Sequence, residues 1–154
     1  MSGGVNGEIL RRGGEAIQKE LHEHLQAEGN RAVDPGAVVV TSPGPLNAKH
    51  LLHVVAIDPF YDSSVGLVCD AIGRALCMAR ELGALTVAMP ALATGYGHLT
   101  IEEFAKGLSQ ALQTDWRPIR QVTVVVREAE YEVILRKMLI EDQPIRAEKN
   151  SADS

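Results

Sequence analysis

The chain has 154 residues, of which 45% are apolar and 23% charged, and its formal net charge is −5. That is the length of one domain with enough apolar content for a core, which excludes collagen, coiled coil and wholesale disorder. The acidic balance and a bare six aromatic residues (Phe60, Tyr61, Tyr96, Phe104, Trp116 and Tyr131) argue against a broad grip on nucleic acid.

Ser2-Gly3-Gly4-Val5-Asn6-Gly7 is a glycine loop that leads into a first helix. In that helix Val5, Ile9, Ile17, Leu21 and Leu25 form an i, i+4 stripe broken by Gly13-Gly14. After a loop at Gly29–Gly36, the valine-rich run Ala37–Thr41 reads as a strand, and after Ser42–His50 so does Leu51–Ile57. Val65, Val68, Ile72, Leu76 and Ala79 mark a second helix that stops with Gly83 at C′. Leu85–Met89 is the third strand. The next helix carries Ile101, Phe104, Ala105, Leu108 and Leu112, with Thr100 as N-cap and Glu103 at the capping-box position. Thr114–Arg120 brings Trp116 and Pro118 into a fourth strand, Gln121–Val126, and Glu130–Leu139 is the last helix. The four strands show little polar alternation, so they are expected to be covered on both faces. Alternating helices and strands give an α/β class with a mixed, mostly parallel sheet. Residues 1–140 are read as one domain, and 141–154 as a disordered tail poor in apolar groups.

No apolar run approaches the roughly 20 residues of a membrane span. No secretory signal opens the chain, so the expected address is cytoplasmic. Cys69 and Cys77 lie in an apolar helical pattern and are read as small core residues. They imply neither a disulfide framework nor a metal site. His22 and His24 sit on the wet side of the first helix, His50 in a loop and His53 inside a strand, where it is read as a satisfied core histidine. No metal-ligand spacing emerges, and no cofactor is implied.

The most informative segment is Pro90-Ala91-Leu92-Ala93-Thr94-Gly95-Tyr96-Gly97-His98. It follows a buried strand and runs into a helix, the place where ligands sit in open α/β sheets. Glycines at 95 and 97 let the backbone approach a ligand closely, and successive N–H groups before a helix form an anion cradle that needs no lysine. The same segment is also compatible with tight strand–helix packing alone. The Ser2–Gly7 loop repeats the same physics at a second helix entrance, and the two could clasp one diphosphate.

These residues resemble a known family. Ser2-Gly3-Gly4-Val5-Asn6-Gly7-Glu8-Ile9 is similar to the GGGV-x-G-x-I entry of macro domains, and Gly36–Thr41 to their GE-x-x-x-T strand. Leu46–His53 resembles L-x-A-K-Y-V-I-H, and Ala71–Gly83 the helix ending A-x-E-x-G. Val87–Gly97 closely resembles I-A-F-P-A-I-x-T-G-x-x-G. The likeness runs from about residue 2 to 139. It implies a three-layer α/β/α fold, N-terminally shortened, that binds ADP-ribose. In that reading Gly3, Gly4 and Val5 line the distal ribose and diphosphate, with Asn6 beside them. Ala93, Thr94, Gly95, Tyr96 and Gly97 supply the main N–H cradle, and Arg127 covers the adenine.

Two strands that open most macro domains have no counterpart here, among them the central strand with the Asn-Ala-Ala-Asn motif. Its loss would leave its neighbours unpaired. The sequence is then a truncated reading of something longer, or the remaining strands close ranks, or a second chain pairs at an exposed edge. One hydrolase branch of the family uses an Asp where this chain has the neutral Asn6, and another a lysine that the glycine loop lacks. No catalytic residue is therefore assigned, and binding is favoured over catalysis. Three alternatives stay open: an ADP-ribosyl hydrolase or ADP-ribose phosphatase, a nucleic-acid-binding macro domain, and a degenerate scaffold. The expected partners are ADP-ribose or an ADP-ribosylated protein, with self-association through a sheet edge as a further expectation.

Overall fold

The computed structural model describes residues 4–27 and 33–141. In chain order the elements are α1 (Gly4–Gly13), α2 (Glu15–Ala27), β1 (Val38–Thr41), β2 (Leu51–Val54), α3 (Val65–Glu81), β3 (Thr86–Pro90), α4 (Ile101–Ala111), β4 (Gln121–Val125) and α5 (Ala129–Glu141). The α/β class read from the sequence holds. Gly3, residues 29–32 of the second loop and the tail from 142 onward lie outside the described residues.

Local signals set the helix boundaries. Gly14, at φ +82°, breaks the first helical stripe into α1 and α2, a backbone conformation that costs glycine nothing. Ser64 caps α3, its hydroxyl accepting from the Leu67 amide at 3.1 Å. Thr100 and Glu103 form the expected capping box at α4: the Glu103 amide donates to Thr100 Oγ1 (3.2 Å) and the Thr100 amide to Glu103 Oε2 (2.9 Å). Gly83, at φ +72°, follows α3 as its C′ residue.

The core lies where α3 and α4 meet the β3–β4 pair. Val68, Ile72 and Leu76 of α3 pack with Met89 of β3, Leu99, and Ile101, Phe104, Ala105, Leu108 and Ala111 of α4. Leu135 of α5 closes the cluster. The two helices cross tightly at Gly107, where a Cβ would lie 3.0 Å from the Val65 carbonyl oxygen and from Val68 Cγ1. Trp116 is seated beside this core, its indole N–H donating to the Ala111 carbonyl at 2.8 Å, and the Arg80 guanidinium lies 5.7 Å from the ring centroid.

The strands depart from expectation in two ways. They form two separate pairs, an antiparallel β1–β2 and a parallel β3–β4. Neither β2 nor β3 has a second strand partner among the described residues, so the sheet is interrupted where a central strand would bridge it. The β3–β4 pair is also not covered on both faces. Burial alternates along it, with Thr86, Ala88, Gln121, Thr123 and Val125 exposed, while Val87, Met89, Val122 and Val124 face α4 and the core. One layer of helices covers one face, and the period-2 geometry of the strand leaves the other side chains in water. α3 contacts both β1 and β2 as well as α4, and thereby ties the two pairs together.

Two further boundaries moved. α1 starts at Gly4, about one turn before the end of the glycine loop, and Glu8 supports it by bonding Arg11 Nε and Nη2 at 2.9 and 2.7 Å. Val5, read as part of the apolar stripe, is 48% exposed, whereas Ile17 is fully buried. The second strand ends at Val54, and Val55 instead pairs in the turn, its carbonyl accepting from Gly36 and its amide donating to Ala37.

A polar lock fastens α2 to β1. Glu20 accepts from the Ser42 amide (3.0 and 3.1 Å) and from the Ser42 hydroxyl (2.7 Å), which holds its carboxyl below the ordinary range. Next to it, Thr41 Oγ1 lies within hydrogen-bond distance of the Ser42 carbonyl (3.1 Å) and of His53 Nε2 (2.9 Å). His53 is thus satisfied, as read, but half-buried on β2 rather than in the core. Burial lowers its pKa, with the Glu20 charge partly opposing. A depressed folded-state pKa means the unfolded chain takes up the proton first. The His53 contribution is therefore complete above about pH 6.5 and declines as pH falls below it. Denaturant midpoints measured between pH 7.5 and 5.5 should drop in the wild type and drop less in His53→Gln; equal slopes would refute the assignment.

Candidate functional site

β3 and β4 run parallel with Pro90 opposite Val125, so the segments that follow them emerge at the same end of the pair. The first of these is the 91–99 loop and the second carries Arg127, exposed between β4 and α5. The strand geometry therefore brings Ala93, Thr94, Gly95, Tyr96, Gly97 and Arg127 to one end of the molecule.

The loop closes on itself. The Thr94 hydroxyl donates to the Ala91 carbonyl at 2.9 Å, and the Leu99 amide donates to the Ala93 carbonyl at 3.1 Å. Gly97 is buried in the crook of the turn: a Cβ there would lie 2.7 Å from the Ala93 carbonyl oxygen, 2.7 Å from Ile57 Cγ2 and 2.8 Å from Ala93 Cβ. Gly95, by contrast, is exposed, with nothing within 4 Å of its added Cβ. Ala93 and His98 adopt left-handed backbone (φ +62° and +56°), a conformation that non-glycine residues hold only when their surroundings enforce it. Residues 92–93 and 96–97 are turns, which aim the Thr94 and His98 amides back at the Ala91 and Gly95 carbonyls, while among the described residues the amides of Gly95, Tyr96 and Gly97 donate to no protein acceptor. Three successive free donors ahead of the capped start of α4 can bind an anion without a basic side chain.

The second glycine segment is a helix start rather than a loop. Gly4, Val5 and Asn6 are the first residues of α1, where the leading N–H groups have no intrahelical acceptor. α1 packs against α2, and Gly13 at its end lies by Leu46. Two surface recesses lie elsewhere. One of ≈540 Å³ runs between α4, β4 and α5, lined by Leu108, Leu112, Val124, Leu135 and Leu139. The other, of ≈410 Å³, runs along α2 by Gln18, His22 and Gln26. Sequence reasoning missed the role of Ile57, which is the floor under Gly97; nothing in its sequence neighbourhood signals a contact 40 residues away.

A family profile for the Macro domain matches residues 1–108. The chain belongs to the macro-domain family. Among curated relatives of this macro domain, a protein of Pyrobaculum aerophilum without an assigned role is 34% identical over 131 residues, covering 80% of this chain and 68% of its own. A macro domain-containing protein of Streptomyces coelicolor is 31% identical over 130 residues, covering 82% and 76%. Among solved structures, the Oceanobacillus iheyensis macrodomain with ADP superposes with a TM-score of 0.80 at 23% identity, covering 91% of this chain and 76% of that one. A mutant of the same protein with ADPR gives 0.76 at 22% identity, covering 91% and 78%. The macro-domain fold inferred from the glycine motifs is therefore the fold of this chain.

Proposed function

We propose that this macro domain binds ADP-ribose or a related nucleotide diphosphate. The observation that carries the reading is the run of amides at Gly95, Tyr96 and Gly97, free of protein acceptors among the described residues and presented beyond the carboxyl end of a parallel strand. In this reading Ala93, Thr94, Gly95, Tyr96 and Gly97 surround the diphosphate. Gly4, Val5 and Asn6 add donors from the start of α1, Gly3 belongs to the same ligand set, and Arg127 stacks on the base. The ADP and ADPR found with the Oceanobacillus iheyensis macrodomain support the ligand class. Binding is favoured over hydrolysis because Asn6, where one hydrolase branch has an Asp, carries a neutral amide that cannot act as a carboxylate base.

Thermal unfolding with added ADP-ribose tests this reading. Ligand at 100 times Kd should add about 2.7 kcal/mol of stability, with AMP and ribose 5-phosphate giving smaller shifts. An unchanged melting temperature at millimolar ADP-ribose sinks it.

The edge of β4, unpaired among the described residues and flanked by Val122, Val124 and Val126 in the apolar recess, supports self-association through a sheet edge, with a second copy adding its own β4. Glu132 and Arg136 border the same recess, and a two-fold axis there would set each against its opposite in the partner. Light scattering should give a dimer mass that Val125→Lys converts to a monomer; a wild-type monomer at every concentration refutes the pairing.

A further inference from the structure

Beside the 93–98 loop stands a second ordered turn that the nucleotide reading does not use. Ile57, on which Gly97 rests, opens the segment 58–64 that joins β2 to α3. Four hydrogen bonds and one tether fix it. The Asp58 carboxylate accepts from the amides of Phe60 (2.8 Å) and Asp62 (2.9 Å), the Asp58 amide donates to the Asp62 carbonyl (2.8 Å), and the Tyr61 amide donates to the Asp58 carbonyl (3.0 Å). The Ser63 hydroxyl ties the turn back to the Ala56 carbonyl at 2.6 Å. This fixed frame holds two aromatic rings out in water: Phe60 is 82% and Tyr61 58% exposed. Tyr61 is also left-handed, at φ +66°. With Ala93 and His98 it completes the set of non-glycine residues in that conformation among the described residues, and all three lie in these two touching loops. Tyr96, 70% exposed, adds a third ring on the other loop.

A turn built to expose rings has a cost in water that a partner can recover. Aromatic side chains on a pre-ordered frame are the usual anchors of protein contacts, because they bury large area with little loss of freedom. The charge of the turn selects the partner. Asp58 and Asp62 flank the rings, and residues 58–64 contain no lysine or arginine. Two carboxylates beside two aromatic faces suit arginine and lysine, which pair with the first and stack on the second.

We propose that the 58–62 turn recognises the polypeptide to which the nucleotide is attached, a basic segment lying across Phe60 and Tyr61. The proposal rests on the nucleotide reading of the 93–98 loop and makes the adjoining turn the part of the site that distinguishes a modified protein from the free nucleotide.

The test compares two ligands, free ADP-ribose and a synthetic ADP-ribosylated peptide with arginines on either side of the modified residue, on the wild type and on the Phe60→Ala, Tyr61→Gly double variant. Both rings are exposed and glycine suits the left-handed backbone at 61, so the fold is preserved. The wild type should bind the peptide more tightly than free ADP-ribose. The double variant should lose about tenfold in peptide affinity, with the free-nucleotide Kd unchanged within about twofold. Peptide affinity unaltered in the variant, or both ligands weakened equally, overturns the role of the turn while leaving the nucleotide reading standing. A wild type that binds neither ligand overturns both.

Discussion

Gly97→Ala should disable the ligand loop and cost measurable stability. The added methyl would sit 2.7 Å from a backbone oxygen of Ala93 and 2.7 Å from the branch methyl of Ile57, neither of which is the free end of a flexible chain. The loop must move, and overpacking of this kind costs about 1–3 kcal/mol. Moving Ala93 also breaks the geometry that aims the free amides, so ADP-ribose affinity should fall at least about tenfold, on the scale of losing one charge-assisted hydrogen bond or more. Gly95→Ala supplies the control for folding. Its Cβ meets no protein atom within 4 Å, and its stability should match the wild type within about 0.5 kcal/mol. A Gly97→Ala protein that melts and binds like the wild type would show that the crook of the turn has room to spare.

The largest effect on stability belongs to Phe104→Ala. Phe104 is fully buried at the α3–α4 contact, among Ile72, Leu76 and Leu108, and its removal leaves a cavity that tightly crossed helices cannot close. Such truncations cost about 3–5 kcal/mol, against a total of about 5–15 kcal/mol for a domain. The denaturant midpoint should fall by a fifth or more with the slope unchanged. A loss below about 1 kcal/mol would mean that the core lies elsewhere.

The helices were legible in the sequence because their signals are local. Thr100 and Glu103 are three residues apart, Gly14 interrupts a stripe it belongs to, and Gly83 follows the last turn of α3; each acts through its own neighbours. The strands were located within one residue at β1, β3 and β4, but their partners were not, because pairing depends on which other strands are present. Val38–Val40 and Val122–Val125 look alike in composition, yet the first lies in an antiparallel pair and the second in a parallel one. The valine-rich runs also concealed that Thr86, Ala88, Thr123 and Val125 face water. Alternation is hard to see when the outward residues are themselves small or apolar.

The candidate site divides along the same line. The glycines at 95 and 97 identified the ligand loop, but the sequence treats them alike, and only the structure separates a packed Gly97 from an open Gly95. Likewise Phe60 and Tyr61 are two aromatic residues in a connecting segment, and their exposure depends on how Asp58 folds the turn around its own carboxylate.

The interrupted sheet bears on how unfolding can be watched. Trp116, the sole indole of the chain, is hydrogen-bonded to the end of α4 and stacked near Arg80, on the side of β3 and β4. Its emission therefore follows that side. Opening of β1 and β2, which among the described residues share no strand hydrogen bonds with the other pair, would leave the fluorescence unmoved. Amide exchange along Val38–Val54 can record a loosening that the optical signal misses, and a single fluorescence transition would then describe only the half of the molecule that carries the tryptophan.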